Sequence, residues 1–529
     1  MTVISTKSIM FFAALVVSVA MLSTVIDFNW PREVVTTEDP TPTPRQSNET
    51  PLHTSPVFLP GTQPRDLKSP PTSAEACQAC HGGYADYSPY DTWRGSMMSF
   101  AAVDPLFLAL NAISNRDLEG VAEVGDFCLR CHTPAAWLEG RSEPVDGSAL
   151  KEKDFKYGVT CDLCMRMVDP LTEEGKALSR PDTMVYANGQ YVLEDDYVRR
   201  GPYSDPQSPH KSQYSEFHTK SEFCGTCHDI YNPVYNLETP VETTYSEWLY
   251  SAYSEEGVEC QDCHMPAVEG YAAYAGNLEL RDNIYRHEFA GSSVWMPDVL
   301  VWMYELEPGE VEALMKTKER ARETMRSAAD LEARREGDML VVRVTNLAGH
   351  KLPTGYPEGR RMWLNIRFYD DAGRVIKESG RYDPVSAELV KDDEIKVYEA
   401  KPGLKDVDGF SEGPSFHFAM NNWIYKDNRI PPRGFSNRAY EERMAYIRGA
   451  TYEDGQYWDT TVYAIPVGAV RVKVFLWHQS VSKEFIEFLR DENIGNNWDI
   501  FDAGEKMYAA WEALDRSPPV EMAGVEVPL

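Results

Sequence analysis

Along the chain, apolar positions group into segments with different periods. Lys7 precedes an uncharged apolar run from Ile9 to Ile26. That run is near the lower length limit for crossing a bilayer, so residues 1–30 read as an export signal peptide or an uncleaved signal anchor. Residues 31–72 carry Pro40-Thr41-Pro42-Thr43-Pro44 and Pro70-Pro71 with few apolar positions. Such a stretch cannot bury a core and predicts an extended tether. Residues 73–300 contain many Gly, Pro, Tyr and Asp and few long periodic runs. From Val311 to Leu331, Val311, Leu314, Ala321, Met325 and Ala328 recur at helical steps, predicting a helical connector over 301–336.

Strand periodicity follows. Met362, Leu364, Ile366 and Phe368 alternate with Trp363, Asn365, Arg367 and Tyr369 before the turn at Asp371-Ala372-Gly373, and Val470, Val472, Val474 and Leu476 alternate later. These predict a β-sandwich-like domain over 337–480 with a long insertion between its two strand regions. A C-terminal helical segment, 481–529, with Met507, Trp511 and Leu514 on one side, should pack on the outside. The fold class expected is mixed: a loop- and helix-rich domain, a helix, then the sandwich.

At 529 residues the chain is long enough for two or three domains. Its formal charge of −31 disfavours nucleic acid and favours cationic partners or simple solubility. The ten cysteines change the picture most, because all fall into Cys-x-x-Cys pairs. Four pairs are followed by histidine: Cys77–Cys80–His81, Cys128–Cys131–His132, Cys224–Cys227–His228 and Cys260–Cys263–His264. Cys-x-x-Cys-His is the haem c attachment signature. Residues i and i+3 share one face of a helical turn, so two sulfurs reach one porphyrin and the next side chain can ligate its iron. Zinc sites need four ligands at ribbon-like spacing, whereas these pairs stand irregularly, about 30 to 60 residues apart. A disulfide scaffold would be short and cysteine-dense. The motifs therefore assign residues 73–300 as a multihaem cytochrome c domain.

The fifth pair, Cys161 and Cys164, is followed by Met165. Three readings compete: Met165 ligates the iron itself, another residue supplies the ligand, or the site carries no haem. Five haem c groups are expected, four if this site is empty.

The chain resembles a family of multihaem cytochromes with a C-terminal β-domain. The resemblance rests on Trp93-Arg94-Gly95-Ser96-Met97-Met98, on Cys131-His132-Thr133-Pro134 with Trp137-Leu138-Glu139-Gly140-Arg141, on Gly158-Val159-Thr160-Cys161-Asp162-Leu163-Cys164, on Cys260-Gln261-Asp262-Cys263-His264-Met265-Pro266, and on Gly349-His350-Lys351-Leu352-Pro353-Thr354-Gly355. It implies electron transfer through closely spaced haems. Where the family usually has histidine, this chain has Met165.

Low-spin haem needs a ligand on each face. His210 and His218 lie in a Ser-, Tyr- and Pro-rich segment where a core histidine would be unusual, and both are candidates. His287 and His350 match ligand-like positions of similar cytochromes. Met97 and Met98 are candidates for one further ligand, against the alternative that a methionine pair fills core. His417 and His478, within the β-domain, read as structural, and His53, in the tether, as solvated.

The leading expectation is electron transfer outside the cytoplasm by a membrane-tethered carrier. Its partners would be redox proteins, membrane quinol-linked donors among them. One rival is an oxidoreductase acting on a small nitrogen or sulfur compound at the Cys161/Cys164 haem. Another is a subunit of an extracellular cytochrome filament or respiratory complex.

Overall fold

The computed structural model describes residues 59–529 except 120–121, 146, 157, 180–184, 236–238, 276–277 and 494–501. The expected signal or anchor, 1–30, and tether residues 31–58 lie outside the described residues. Among the described residues no helix is long and apolar enough to cross a membrane.

Residues 59–72 differ from the expected tether, because they are docked on the body. Leu59 and Thr62 are buried. The carbonyls of Leu59 and Pro60 accept from the buried Arg130 guanidinium, and the Thr62 amide donates to Tyr191 O at 3.0 Å. Proline-rich composition limits hydrophobic burial, but these backbone groups find polar partners in the body.

The Cys-x-x-Cys segments fold as short helical turns at Glu75–His81, Val124–His132, Cys161–Arg166, Ser221–Gly225 and Cys260–His264. Local capping sets several of their ends. Thr160 accepts from the Leu163 amide, and Glu259 with Asp262 forms a capping box. Between them runs α1 (Pro105–Asp117), capped by Asp104 and buried over most of its circumference, as expected of an inner helix.

Helix α2 (Pro308–Ser327) buries Ala313, Leu314, Thr317, Ala321 and Met325. It stops short of the expected Leu331, and the chain turns into β1 (Ala329–Glu336), so the connector already contains sandwich. The other strands are β2 (Met339–Asn346), β3 (Arg361–Tyr369), β4 (Val375–Ser379), β5 (Val397–Tyr398), β6 (Trp458–Ala464), β7 (Arg471–Gln479) and β8 (Val520–Pro528). One antiparallel sheet runs β6–β2–β1, and the other runs β4–β3–β7–β8 with β5 beside the start of β3. Leu340, Val342 and Val344 share a core with Leu364, Ile366, Phe368, Val472, Val474 and Leu476.

The C-terminal segment is not wholly helical. After α3 (Lys483–Glu492) and α4 (Ala503–Ala513), β8 pairs with β7. A register shift opposite Leu476/Trp477 reverses which residues of β8 face inward, breaking the alternation that marks a strand. Nor do α3 and α4 lie on the outside. Phe485, Leu489, Met507 and Trp511 are buried in one core with Leu106, Leu110 and Ile113 of α1, binding the chain's end to its helical first half.

Candidate functional site

None of the ten cysteines is in a disulfide. Segments far apart in sequence meet through them. Cys77 hydrogen-bonds with Cys161, Cys131 with Cys227, and Cys224 with Cys260. Cys164 lies close enough to act electrostatically on Cys224 and Cys227. The first segment thus adjoins the third, and the fourth adjoins the second, third and fifth. A cavity of about 900 Å³ runs among them, lined by the cysteines of the first four segments, by His81, His132 and His228, and by Gln261 and Met265 of the fifth. Burial pushes the Cys128 and Cys164 thiols up to about 12, so they stay protonated here.

Most candidate histidines share one orientation. Nδ1 donates to a backbone carbonyl in His81 (Ala272, 2.9 Å), His132 (Ala101, 3.4 Å), His264 (Ala290, 2.8 Å), His287 (Tyr285, 2.8 Å) and His350 (Lys351, 2.9 Å). A carbonyl only accepts, so the proton sits on Nδ1 and the Nε2 lone pair is left for a metal. Burial holds His132, His264 and His287 down to about 4, keeping these rings neutral. His228 is the exception. Burial alone would lower it, but Glu242 Oε1, 3.3 Å from Nδ1, leaves it raised. Its ring is half exposed and lines the cavity.

His264 and His350 face one another, with ring centroids 6.3 Å apart and planes 23° apart. His350 belongs to the loop between β2 and β3, which is fixed from behind by buried charge. Glu247 Oε2 accepts from the Lys351 amide at 3.0 Å and from Thr354 Oγ1 at 2.7 Å, and Lys351 Nζ lies 2.8 Å from Asp427 Oδ2. His81 lies near both His287 and His210. His210 is exposed, and its Nδ1 meets Lys211 O and Ser212 Oγ.

The third segment is held by its own buried acid. Asp162 accepts from the Thr72 amide at 2.7 Å and forms ion pairs with Arg199 Nη2 at 2.7 Å and Arg166 Nη1 at 3.6 Å. Met165 lines the cavity. His218, half-buried beside Phe223 with ring centroids 4.7 Å apart, donates from Nε2 to Cys164 O at 2.9 Å while Ser215 Oγ meets Nδ1. The structure therefore brings His218 to the segment that lacks its own histidine. Met97 and Met98 also line the cavity, and the Met98 backbone adjoins the approach to the third segment. The Met98 carbonyl accepts from Val159 N at 2.9 Å, and a Cβ on Gly158 would stand 2.4 Å from that oxygen. His417 pairs with Asp117 at 2.6 Å, and His478 is buried within the sandwich.

Several residues that matter here carried no signal in the sequence. Glu242, Glu247 and Arg199 are ordinary charged residues until the fold buries them. In the cavity wall, both amide atoms of Asn111, Arg199 Nη1 and Gln261 Oε1 are buried without hydrogen-bond partners. Orphaned polar atoms are costly. A cavity with apolar walls, a few unpartnered polar atoms, paired thiols and imidazoles with free Nε2 suits large flat macrocycles that have a polar edge.

The fold is similar to that of a penta-haem cytochrome c552 from Thermochromatium tepidum, with a TM-score of 0.53 and 19% sequence identity over 87% of this chain and 100% of that one. No protein-family profile and no curated protein matches the chain.

Proposed function

We propose that the chain is an extracytoplasmic multihaem cytochrome c that relays electrons through five covalently attached haems. The observation that carries this reading is the pair His264 and His350, 6.3 Å apart and nearly parallel, beside the thiols of Cys260 and Cys263. Each metal–imidazole bond takes about 2 Å, and the remainder is the half-width of two rings, so the separation is the one a single iron would need if both Nε2 atoms were turned toward it. The fold shared with a penta-haem cytochrome supports the same reading.

The ten cysteines would hold the haems by thioethers, with His81, His132, His228 and His264 as ligands from the motifs. His350 would join His264 as a ligand, His287 or His210 would join His81, and His218 would join Met165 at the third segment. When bound, the haem supplies reversible one-electron chemistry. The chain's own residues fix imidazole tautomers through backbone carbonyls, exclude water with α1 and the sandwich loop, and set the order of neighbours. The thiol contacts make the fourth segment the hub, reached from the second and fifth directly and from the first through the third. A relay position for the third segment, together with a nearby imidazole, favours electron transfer over substrate turnover there.

Covalent haem attachment occurs outside the cytoplasm, which supports an exported protein. The acidic chain favours redox partners with cationic docking faces, membrane quinol-linked donors among them. A pyridine haemochrome titration with the intact mass of the exported protein tests this. Five covalent haems are expected, and four would leave Cys161 and Cys164 bare. Three or fewer, or complete extraction into acid acetone, would overturn the proposal.

A further inference from the structure

Arg199 stands where the first and third Cys-x-x-Cys segments meet. It begins a short strand, Arg199–Gly201, that pairs in parallel with Ser212–Tyr214. Its Nη2 is committed to Asp162 Oδ1 at 2.7 Å, inside the third segment, and its guanidinium lies 5.7 Å from the Tyr197 ring. Across the seam, the Cys77 thiol is lowered to about 7 chiefly by its hydrogen bond with Cys161, and the charge of Arg199 also acts on it. The other terminal nitrogen, Nη1, is buried without a hydrogen-bond partner, and the side chain lines the cavity. A guanidinium presents its N–H groups as a fixed fork. With one arm on a carboxylate, the other is aimed where a second acceptor should sit, and a buried donor left unmatched costs about 1–3 kcal/mol.

We propose that Arg199 Nη1 binds a propionate carboxylate of the haem seated at the seam of the first and third segments. One guanidinium then bridges that carboxylate to Asp162. This assignment rests on the haem reading above. The bridge fixes the macrocycle's edge relative to the Cys161–Arg166 helix, and its positive charge favours the reduced iron.

The test uses the exported, haem-loaded full chain with Arg199→Gln and Arg199→Lys. Haem count is read by pyridine haemochrome, redox midpoints by potentiometric titration, and the propionate bending band by resonance Raman. Arg199→Gln should keep all the haems, shift one propionate band and make one haem at least tenfold harder to reduce, about 59 mV for one electron. Arg199→Lys keeps the charge but cannot serve both carboxylates as a fork. It should therefore shift the same band with a smaller change in midpoint. Propionate bands unchanged in both variants would overturn the assignment, even if stability falls, because a purely structural Arg199 would act only on Asp162. Absence of covalent haem in the unsubstituted protein would instead overturn the functional reading itself.

Discussion

His264 and His350 face each other across 6.3 Å with their ring planes 23° apart, although one lies in a Cys-x-x-Cys-His segment and the other in a loop of the sandwich. The Nδ1 of each donates to a backbone carbonyl, which leaves each Nε2 unprotonated and able to ligate a metal. On the proposed reading the sandwich is thereby part of the redox site. His350→Ala should leave the haem count unchanged and convert one low-spin haem to high-spin, read by absorption and electron paramagnetic resonance. An unaltered low-spin spectrum would make His350 a structural residue.

The charge network behind His350 gives a second prediction. Lys351 is fully buried, 2.8 Å from Asp427 and 3.8 Å from Glu247. Burial lowers its pKa, while the two carboxylates oppose that shift. Breaking a buried pair from one side leaves an uncompensated charge and costs about 3–5 kcal/mol. Arg429 also contacts both acids, so Lys351→Met should fall at the lower end of that range in denaturant unfolding. Loosening the loop should also raise the high-spin fraction at the His264 site. A variant as stable as the parent would show that Arg429 alone neutralises the acids.

The sequence exposed the cysteine pairs because their Cys-x-x-Cys spacing is local, and it exposed β3 and β7 because a sandwich core imposes alternation. It hid β8, where a register shift changes the phase of that alternation. It also hid the docking of residues 59–72, whose partners are backbone groups and charged side chains distant in sequence, Arg130, Asp162, Arg166 and Asp195. Spacing alone linked Met97 and Met98 to the first segment. The fold also brings the Met98 backbone to the approach to the third segment, at Gly158 and Val159, a long-range pairing that no local pattern encodes. The pairing of His350 with His264 was hidden in the same way, although His350 itself stood out.

Glu358 sets a pH dependence separate from the iron ligands. Burial raises its carboxyl to about 7 from 4.5, against a long hydrogen bond from Asn421. The folded state keeps a proton that the unfolded state releases between pH 4.5 and about 7. Stability from this group is therefore full below 4.5 and lost as pH rises through 7, with a slope approaching 1.4 kcal/mol per pH unit for one proton. Glu358→Gln, which mimics the protonated acid, should flatten that part of the stability curve measured by denaturant midpoint. A variant with the same slope as the parent would assign the dependence to another group.

The third segment makes the sharpest electrochemical prediction, because Met165 stands where the neighbouring segments carry histidine and His218 touches Cys164 O at 2.9 Å. On the proposed reading these two side chains would hold one iron once His218 Nε2 gives up its hydrogen bond to Cys164 O. Thioether sulfur is a weaker donor to ferric iron than imidazole, and methionine ligation raises haem potential within an axial-ligand range of about 0.8 V. A tenfold change in a one-electron equilibrium is about 59 mV, so a rise of about 120 mV favours an electron on this haem roughly a hundredfold. Since the third segment links the first to the fourth, it would be the resting point of the relay. Met165→His should remove one high-potential component from the redox titration while every haem is retained. His218→Ala should open a coordination position at the same haem, seen as cyanide binding at neutral pH that the parent lacks. If Met165→His leaves the titration unchanged, Met165 is not an iron ligand. If His218→Ala then gains no cyanide site, the iron there is held by residues other than these two.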